Sequence, residues 1–200
     1  MGQGLNYEDE AKLYYLYMMA DGQVSKEEKK LFQSICMKLG IKADDKHAIM
    51  KECDDLIEYE DLVFETIVGL VEGKTNDTYG SNSALYATSI LNSRWKEPVT
   101  VERSARILWN LINLGYADSV YSPSEKKIVN YLVEQWQIKP EVYQEFVDAA
   151  DTMLALSKQK KWIETTYPDS EKKTNKEKQI DKEMKLLAGN VELTIQELVD

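Results

Sequence analysis

The sequence predicts an all-α protein in which two related helical repeats pack as one bundle. Apolar residues recur at spacings of three and four along almost the whole chain, which is the period of an amphipathic helix. No stretch of useful length alternates polar and apolar residues, and only 4 Pro and 9 Gly interrupt the 200 residues. The third observation is an internal repeat: residues 20–54 align without a gap with residues 117–151, at a constant offset of 97.

The repeat defines the expected organisation of the chain. Its identical pairs are Ala20/Ala117, Asp21/Asp118, Ser25/Ser122, Glu28/Glu125, Lys29/Lys126, Lys30/Lys127, Ile41/Ile138, Lys42/Lys139 and Asp54/Asp151. Because apolar positions coincide between these pairs, we expect two pseudo-twofold-related copies packed face to face. The predicted segments are repeat one at about 5–73, a middle loop and helix at 74–97, repeat two at 98–157 and a charged C-terminal helical extension at 158–200.

Each helix follows from apolar spacing and from the residues that interrupt it. Gly and polar turn formers mark a surface loop at 73–80, and Pro98 and Pro168 each end a helical stretch. Cys36 and Cys53 both fall on apolar stripes and are expected to be buried, reduced thiols. In chain order, the predicted helices are 6–21, 26–39, 44–57, 60–72, 82–95, 101–117, 123–137 and 140–157, then a short helix at 158–167, a charge-rich helix at 171–188 and a final amphipathic segment at 191–199.

Composition excludes several classes of function. The net charge of −10 argues against nucleic-acid binding, which needs clustered Lys and Arg. The first ten residues are polar and acidic, unlike a signal peptide, and no apolar run approaches the roughly 20 residues of a membrane span. We therefore expect a cytoplasmic protein without a transmembrane segment.

Charge is distributed unevenly along the chain. The stretch Asp44–Asp61 holds eight acidic residues against Lys46 and Lys51, which is either a solvated helix face or a docking face for a basic protein partner. Residues 157–190 hold nine Lys against six acidic residues. This tail is interpreted as a solvated helix, with docking to a partner or peripheral association with a membrane surface as the alternative.

A short acidic turn occurs at the same place in both copies, from Asp21 to Glu28 and from Asp118 to Glu125. Ser followed three residues later by Glu is the pattern of a helix capping box, and it is present in each turn. Pro123 suits the first helical position of the second copy. Gly22 suits the left-handed conformation that ends a helix. Helix capping alone therefore accounts for most of the turn.

Metal binding is the competing interpretation. The run Asp-Gly-x-Val-Ser-x-x-Glu from Asp21 to Glu28 matches the second half of a calcium-binding EF-hand loop. The first half is absent, because Tyr17 and Met19 occupy the positions of the leading carboxylates, which excludes a true EF-hand. A looser oxygen site for a weakly bound divalent cation would combine each turn with the repeated acid of its copy. The candidate ligands are Asp21, Glu28, Asp54, Asp118, Glu125 and Asp151.

The run from Tyr14 to Glu28, continuing to Ile41, resembles the tellurite-resistance TerB-like family. The resemblance covers about residues 5–57 and 102–154. It implies a compact, pseudo-twofold helical domain associated with stress or defence systems near the inner face of the membrane. It also implies metal chelation by acidic residues, which here are Asp21, Glu28, Asp118 and Glu125. Ser119 replaces the Gly of the first copy, which argues against an identical site in copy two. The 97-residue repeat with an extra helix indicates a divergent member.

Three functional hypotheses follow. The first is a non-enzymatic helical module that binds a divalent cation or a protein partner, as a scaffold component of a bacterial stress or defence system. The second is a metal-dependent hydrolase in which Asp/Glu pairs activate water. The third is a structural adaptor or immunity-type protein in which the acidic turns only cap helices. His47 lies in a charged segment and is expected to be solvated, so we assign no catalytic residue.

Overall fold

The computed structural model describes residues 4–56, 62–72 and 99–198. Every regular element in these ranges is a helix, which confirms the predicted all-α class. The helices are α1 (Tyr7–Met18), α2 (Lys26–Lys38), α3 (Ala43–Leu56), α4 (Val63–Glu72), α5 (Val101–Tyr116), α6 (Pro123–Gln135), α7 (Pro140–Thr166) and α8 (Glu171–Glu197). The predicted loop at 73–80, the helix at 82–95 and the end of the acidic stretch at 57–61 lie outside the described residues.

Two predicted boundaries were wrong. Helix α1 ends at Met18 rather than at Asp21. The short helix predicted at 158–167 continues 140–157 without a break, because no Gly or Pro occurs between Pro140 and Pro168, and α7 runs for 27 residues. Likewise α8 continues through Gly189 to Glu197 because Val191 and Ile195 beyond the glycine are buried.

The chain divides into two compact units, Met1–Gln137 and Ile138–Asp200. In the first unit α1 is central and packs against each of the five other described helices. All its residues from Asp9 to Met18 are buried, including three charged ones. The largest buried side chains of this unit include Tyr14 and Tyr17 on α1 itself, together with Phe32, Leu108 and Ile67.

The buried charge of Glu10 on α1 is paired with Arg103. Arg103 on α5 donates to Glu10 through Nε and Nη2, at 3.1 and 2.9 Å, and to the Leu5 carbonyl through Nη1 at 2.7 Å. Tyr14 Oη donates to the second Glu10 oxygen at 2.8 Å, and Asn110 Nδ2 donates to Tyr14 at 3.0 Å. Because a buried charge without a partner is strongly destabilising, this network fixes α1 against α5.

The second unit consists of α7 and α8, which pack along each other as a helical hairpin. Lys160 Nζ lies 2.6 Å from Asp181 Oδ1, and Thr194 donates to Glu145 at 2.6 Å. Residues early in α7 therefore lie beside residues late in α8, so the two helices are antiparallel. Within the described part of the chain, no helix is long and apolar enough to cross a membrane.

The internal repeat is visible in the helix boundaries. Helix α6 begins and ends 97 residues after α2, and α7 begins 97 residues after α3. The left-handed backbone positions repeat as well: φ is 78° at Gly22 and 73° at Ser119, and 75° at Gly40 and 54° at Gln137. The two copies thus share local backbone geometry, while their pseudo-twofold arrangement stays a prediction.

Candidate functional site

Both acidic turns contain the predicted capping box. At the start of α2, the Glu28 backbone N–H donates to Ser25 Oγ at 3.1 Å, and the Ser25 N–H donates to Glu28 Oε2 at 2.6 Å. At the start of α6, Ser122 and Glu125 make the same two bonds at 3.2 and 2.8 Å. Each glutamate is buried, so its carboxylate is held at a helix N-terminus, where negative charge is favoured.

The aspartates of the two turns are exposed and shape the backbone. Asp21 Oδ1 accepts a hydrogen bond from the Gln23 N–H at 2.9 Å, and Asp118 Oδ1 accepts one from the Val120 N–H at 2.8 Å. Each aspartate precedes a left-handed residue, Gly22 or Ser119. The replacement of Gly by Ser in copy two therefore leaves the turn conformation unchanged.

The charges of the two turns act on each other. Burial raises the pKa of Glu125 to about 7, the Ser122 hydrogen bonds oppose this, and the negative charges of Asp21 and Glu28 add to it. Burial likewise raises the pKa of Glu28, with contributions from the charges of Asp118 and Asp21. We call these four residues, Asp21, Glu28, Asp118 and Glu125, the carboxylate cluster.

Two tyrosines and a glycine lie beneath the carboxylate cluster. Tyr17 on α1 is fully buried, which raises its pKa well above the ordinary value, and Tyr121 and Glu125 add to that shift. The Tyr17 and Tyr121 hydroxyls are both buried. At Gly115 on α5, an added Cβ would lie 2.5 Å from Tyr17 Oη and 2.8 Å from Tyr121 Cδ2.

The sequence does not mark this tyrosine pair as part of the site. Apolar spacing places Tyr17 on the inward side of the first helix, at a position that supplies no EF-hand ligand. The usable signal was Gly115, since a glycine within a helical pattern often marks a close approach of another group.

Asp54 and Asp151, the other two predicted ligands, have different surroundings. Asp54 on α3 accepts a hydrogen bond from Tyr15 Oη at 2.9 Å, and this bond adds to the effect of burial in raising the pKa of Tyr15. Asp151 is exposed on α7, in the second unit. Their role as ligands stays a prediction.

The carboxylate cluster is not a preformed metal cage. Among the residues that the structure describes, no three His, Cys, Asp or Glu side chains are grouped closely enough to hold a metal ion. Glu28 and Glu125 each use one carboxylate oxygen to cap a helix, and each retains a second. A cation would therefore have to draw in the exposed side chains of Asp21 and Asp118.

Of the other residues named from the sequence, the histidine lies at the surface and the two cysteines are buried. His47 is exposed, and its Nδ1 lies 2.7 Å from the Ala43 carbonyl oxygen of its own helix. Cys36 and Cys53 are free and buried, as predicted, and burial raises the pKa of each thiol, to about 11 and about 12 respectively. In the described part of the acidic stretch, Glu52 pairs with Lys12 at 3.1 Å.

The chain matches the model of a known protein family. The family model described as Tellurite resistance protein TerB matches residues 10–148. This range contains all four residues of the carboxylate cluster. No curated protein and no solved structure matches the chain.

Proposed function

The chain belongs to the TerB family, and we propose that it is a non-enzymatic helical module that binds a divalent cation weakly at the carboxylate cluster. The observation that carries this proposal is the electrostatic coupling of the two acidic turns. The charges of Asp21 and Glu28 both act on Glu125, although Glu125 lies 97 residues after Glu28. A fold that brings these carboxylates together stores repulsion that a cation relieves.

The chemistry of the cluster favours a hard cation. Its donors are carboxylate oxygens, which suit magnesium, calcium and manganese, whereas zinc more often takes histidine and cysteine. Affinity is expected to be weak, because Glu28 and Glu125 already serve as helix caps. Calcium also takes about six to eight oxygen ligands, so water would complete the coordination.

A binding role fits the cluster better than catalysis does. The two buried glutamates each commit one oxygen to a backbone N–H at the start of α2 or α6, whereas the raised pKa of Glu125 is the feature that favours the hydrolase hypothesis. The single histidine is exposed on α3 and bonded within its own helix. The capping bonds and the exposed histidine support the non-enzymatic module over the hydrolase hypothesis.

The proposal also includes a protein partner. TerB family membership and the acidic residues of α3 support a scaffold role in a bacterial stress or defence system, with a basic partner docking on the acidic stretch. Asp44, Asp45 and Asp55 are exposed there and available to such a partner. Asp44 and Asp45 lie in the first turn of α3.

Calorimetric titration with magnesium, calcium, manganese and zinc tests cation binding. We expect weak binding of a hard cation by the wild type, weakened several-fold in both Asp21→Asn and Asp118→Asn. Glu27→Gln is the matched control, because Glu27 is an exposed acid of the same turn that is not in the cluster. Absence of heat with every ion, or equal loss in the control, would leave helix capping as the role of the turns.

A further inference from the structure

Helix α8 carries apolar residues on two opposite faces. Ile180, Val191 and Ile195 are buried on one face. Leu186 and Leu193 lie on the other, where they are 66% and 58% exposed. The two leucines are seven residues apart, which is close to two helical turns, so both project from the same side of the helix.

The exposed face has a small residue at its centre and opposite charges at its ends. A Cβ added at Gly189, between the two leucines, would meet no atom within 4 Å. Lys182 precedes Leu186 by one turn, Glu197 follows Leu193 by one turn, and both are exposed. We call these five residues, Lys182, Leu186, Gly189, Leu193 and Glu197, the outer stripe of α8.

We propose that the outer stripe is a contact surface for a second copy of this chain, paired antiparallel about a twofold axis. Leu186 lies as far before the midpoint between Gly189 and Asn190 as Leu193 lies after it. A twofold axis at that midpoint therefore places Leu186 of one copy against Leu193 of the other. Such an isologous contact is closed, because the same surface is used on both copies.

The charges of the stripe obey the same symmetry and select the antiparallel orientation. Lys182 and Glu197 are also equally distant from the midpoint, so the axis places each opposite the other across the contact. A parallel pair would instead bring Lys182 against Lys182 and Glu197 against Glu197. Opposite charges thus favour one orientation and like charges disfavour the other.

The area available makes this a weak dimer. Two leucines and a glycine from each copy cover far less than the roughly 1,200–2,000 Å² of a stable interface. Gly189 has no side chain, so the two helices can approach closely and the leucines can bury more of their surface. We therefore expect a dimer that forms only at high protein concentration.

Sedimentation equilibrium over a wide range of concentrations tests the dimer. The weight-average mass of the wild type is expected to rise from 23.0 kDa towards twice that value. Leu186→Glu and Leu193→Glu should hold the mass at 23.0 kDa throughout. Met37→Glu and Val120→Glu are matched controls that leave the association intact, because these residues are 71% and 61% exposed but lie elsewhere.

Charge reversal tests the orientation. At low salt, Lys182→Glu alone and Glu197→Lys alone should each weaken dimerisation several-fold, and the double variant should recover wild-type association. If the weight-average mass of the wild type stays at 23.0 kDa at every concentration, the outer stripe does not pair with a second copy and the proposal is overturned. A dimer that survives both leucine variants, or a double variant without recovery, would also overturn it.

Discussion

Glu28 and Glu125 hold the same position in two matching capping boxes, and the charge of Glu28 contributes to raising the pKa of Glu125 to about 7. Each carboxylate is fixed by a backbone N–H of its own turn, so neither can move away without uncapping a helix. The structure therefore brings two turns that are far apart in sequence close enough for their charges to interact, and the stability of the protein should respond to the charge there.

The first prediction concerns pH. Because the pKa of Glu125 is raised from 4.5 to about 7, the folded state retains this proton more tightly than the unfolded state does. The stabilisation that comes from the protonated Glu125 carboxyl group is complete below pH 4.5 and is lost as the pH rises through 7. We expect the stability difference between wild type and Glu125→Gln to shift by about 2 kcal/mol between pH 5 and pH 8, in favour of the variant at pH 8.

Urea unfolding of both proteins at several pH values provides this measurement. Glu27→Gln is the control, because Glu27 is exposed and its loss should leave the pH profile unchanged. Parallel profiles for wild type and Glu125→Gln would show that the carboxyl group is not perturbed in the folded protein.

The second prediction compares the stability lost by removing a helix cap with the stability lost by truncating a core side chain. Ser25→Ala and Ser122→Ala should each lower the free energy of unfolding by about 1 kcal/mol, through loss of the N-cap bond. Ile128→Ala should lower it by about 2–5 kcal/mol, because Ile128 is buried. Leu31, its counterpart in copy one, is only half-buried, so Leu31→Ala should have a smaller effect.

Chemical denaturation measures these differences, with Ser124→Ala as a control at an exposed position beside the second cap. If the cap variants prove more damaging than Ile128→Ala, the assignment of the inward face of α6 is incorrect.

The third prediction concerns the left-handed position of each turn, which holds Gly22 in the first copy and Ser119 in the second. Ser119 has a φ of 73°, which disfavours any residue with a Cβ, whereas Gly22 adopts its φ of 78° freely. Ser119→Gly should raise the free energy of unfolding by about 0.5–1 kcal/mol, and Gly22→Ser should lower it by a similar amount. Thermal unfolding of the two variants checks the signs, and two shifts of the same sign would contradict the shared turn geometry.

The fourth prediction concerns the close approach at Gly115. Gly115→Ala should destabilise the protein by about 1–3 kcal/mol, because the new methyl group would meet the Tyr17 hydroxyl and the Tyr121 ring. Adding Tyr17→Phe should recover part of the loss by removing the hydroxyl. The control is Gly189→Ala, at an open helical position, which should raise stability by about 0.5–1 kcal/mol. Equal effects at the two glycines in thermal unfolding would refute the packing described around Tyr17.

The fold was largely predictable because helical periodicity and capping are local properties. The spacing of apolar residues and the pattern from Ser122 to Glu125 define α6 without reference to the rest of the chain. The boundaries of α7 and α8 were harder to predict. The predicted charge-rich helix ended at residue 188, but α8 continues through Gly189 because Val191 and Ile195 are buried beyond it.

The site was predictable only in part. The candidate acids of each turn were visible in the repeat, but their coupling across the two copies depends on tertiary packing. The sequence shows the two turns separately and does not reveal that the charges of Asp21 and Glu28 both act on Glu125. The tyrosine pair was missed because Tyr17 and Tyr121 are not equivalent in the repeat.

The central claim, that the two acidic turns form one cation site, is tested most directly by amide NMR during titration with magnesium, calcium or manganese. The Gln23 and Val120 N–H groups donate to Asp21 and Asp118 and report on each turn separately. Both resonances are expected to shift, or to broaden with manganese, with the same dependence on cation concentration. The Lys173 amide, which donates to Ser170 in the second unit, is the internal reference and should not respond. Unchanged Gln23 and Val120 resonances, or a response of only one of them, would contradict a shared site.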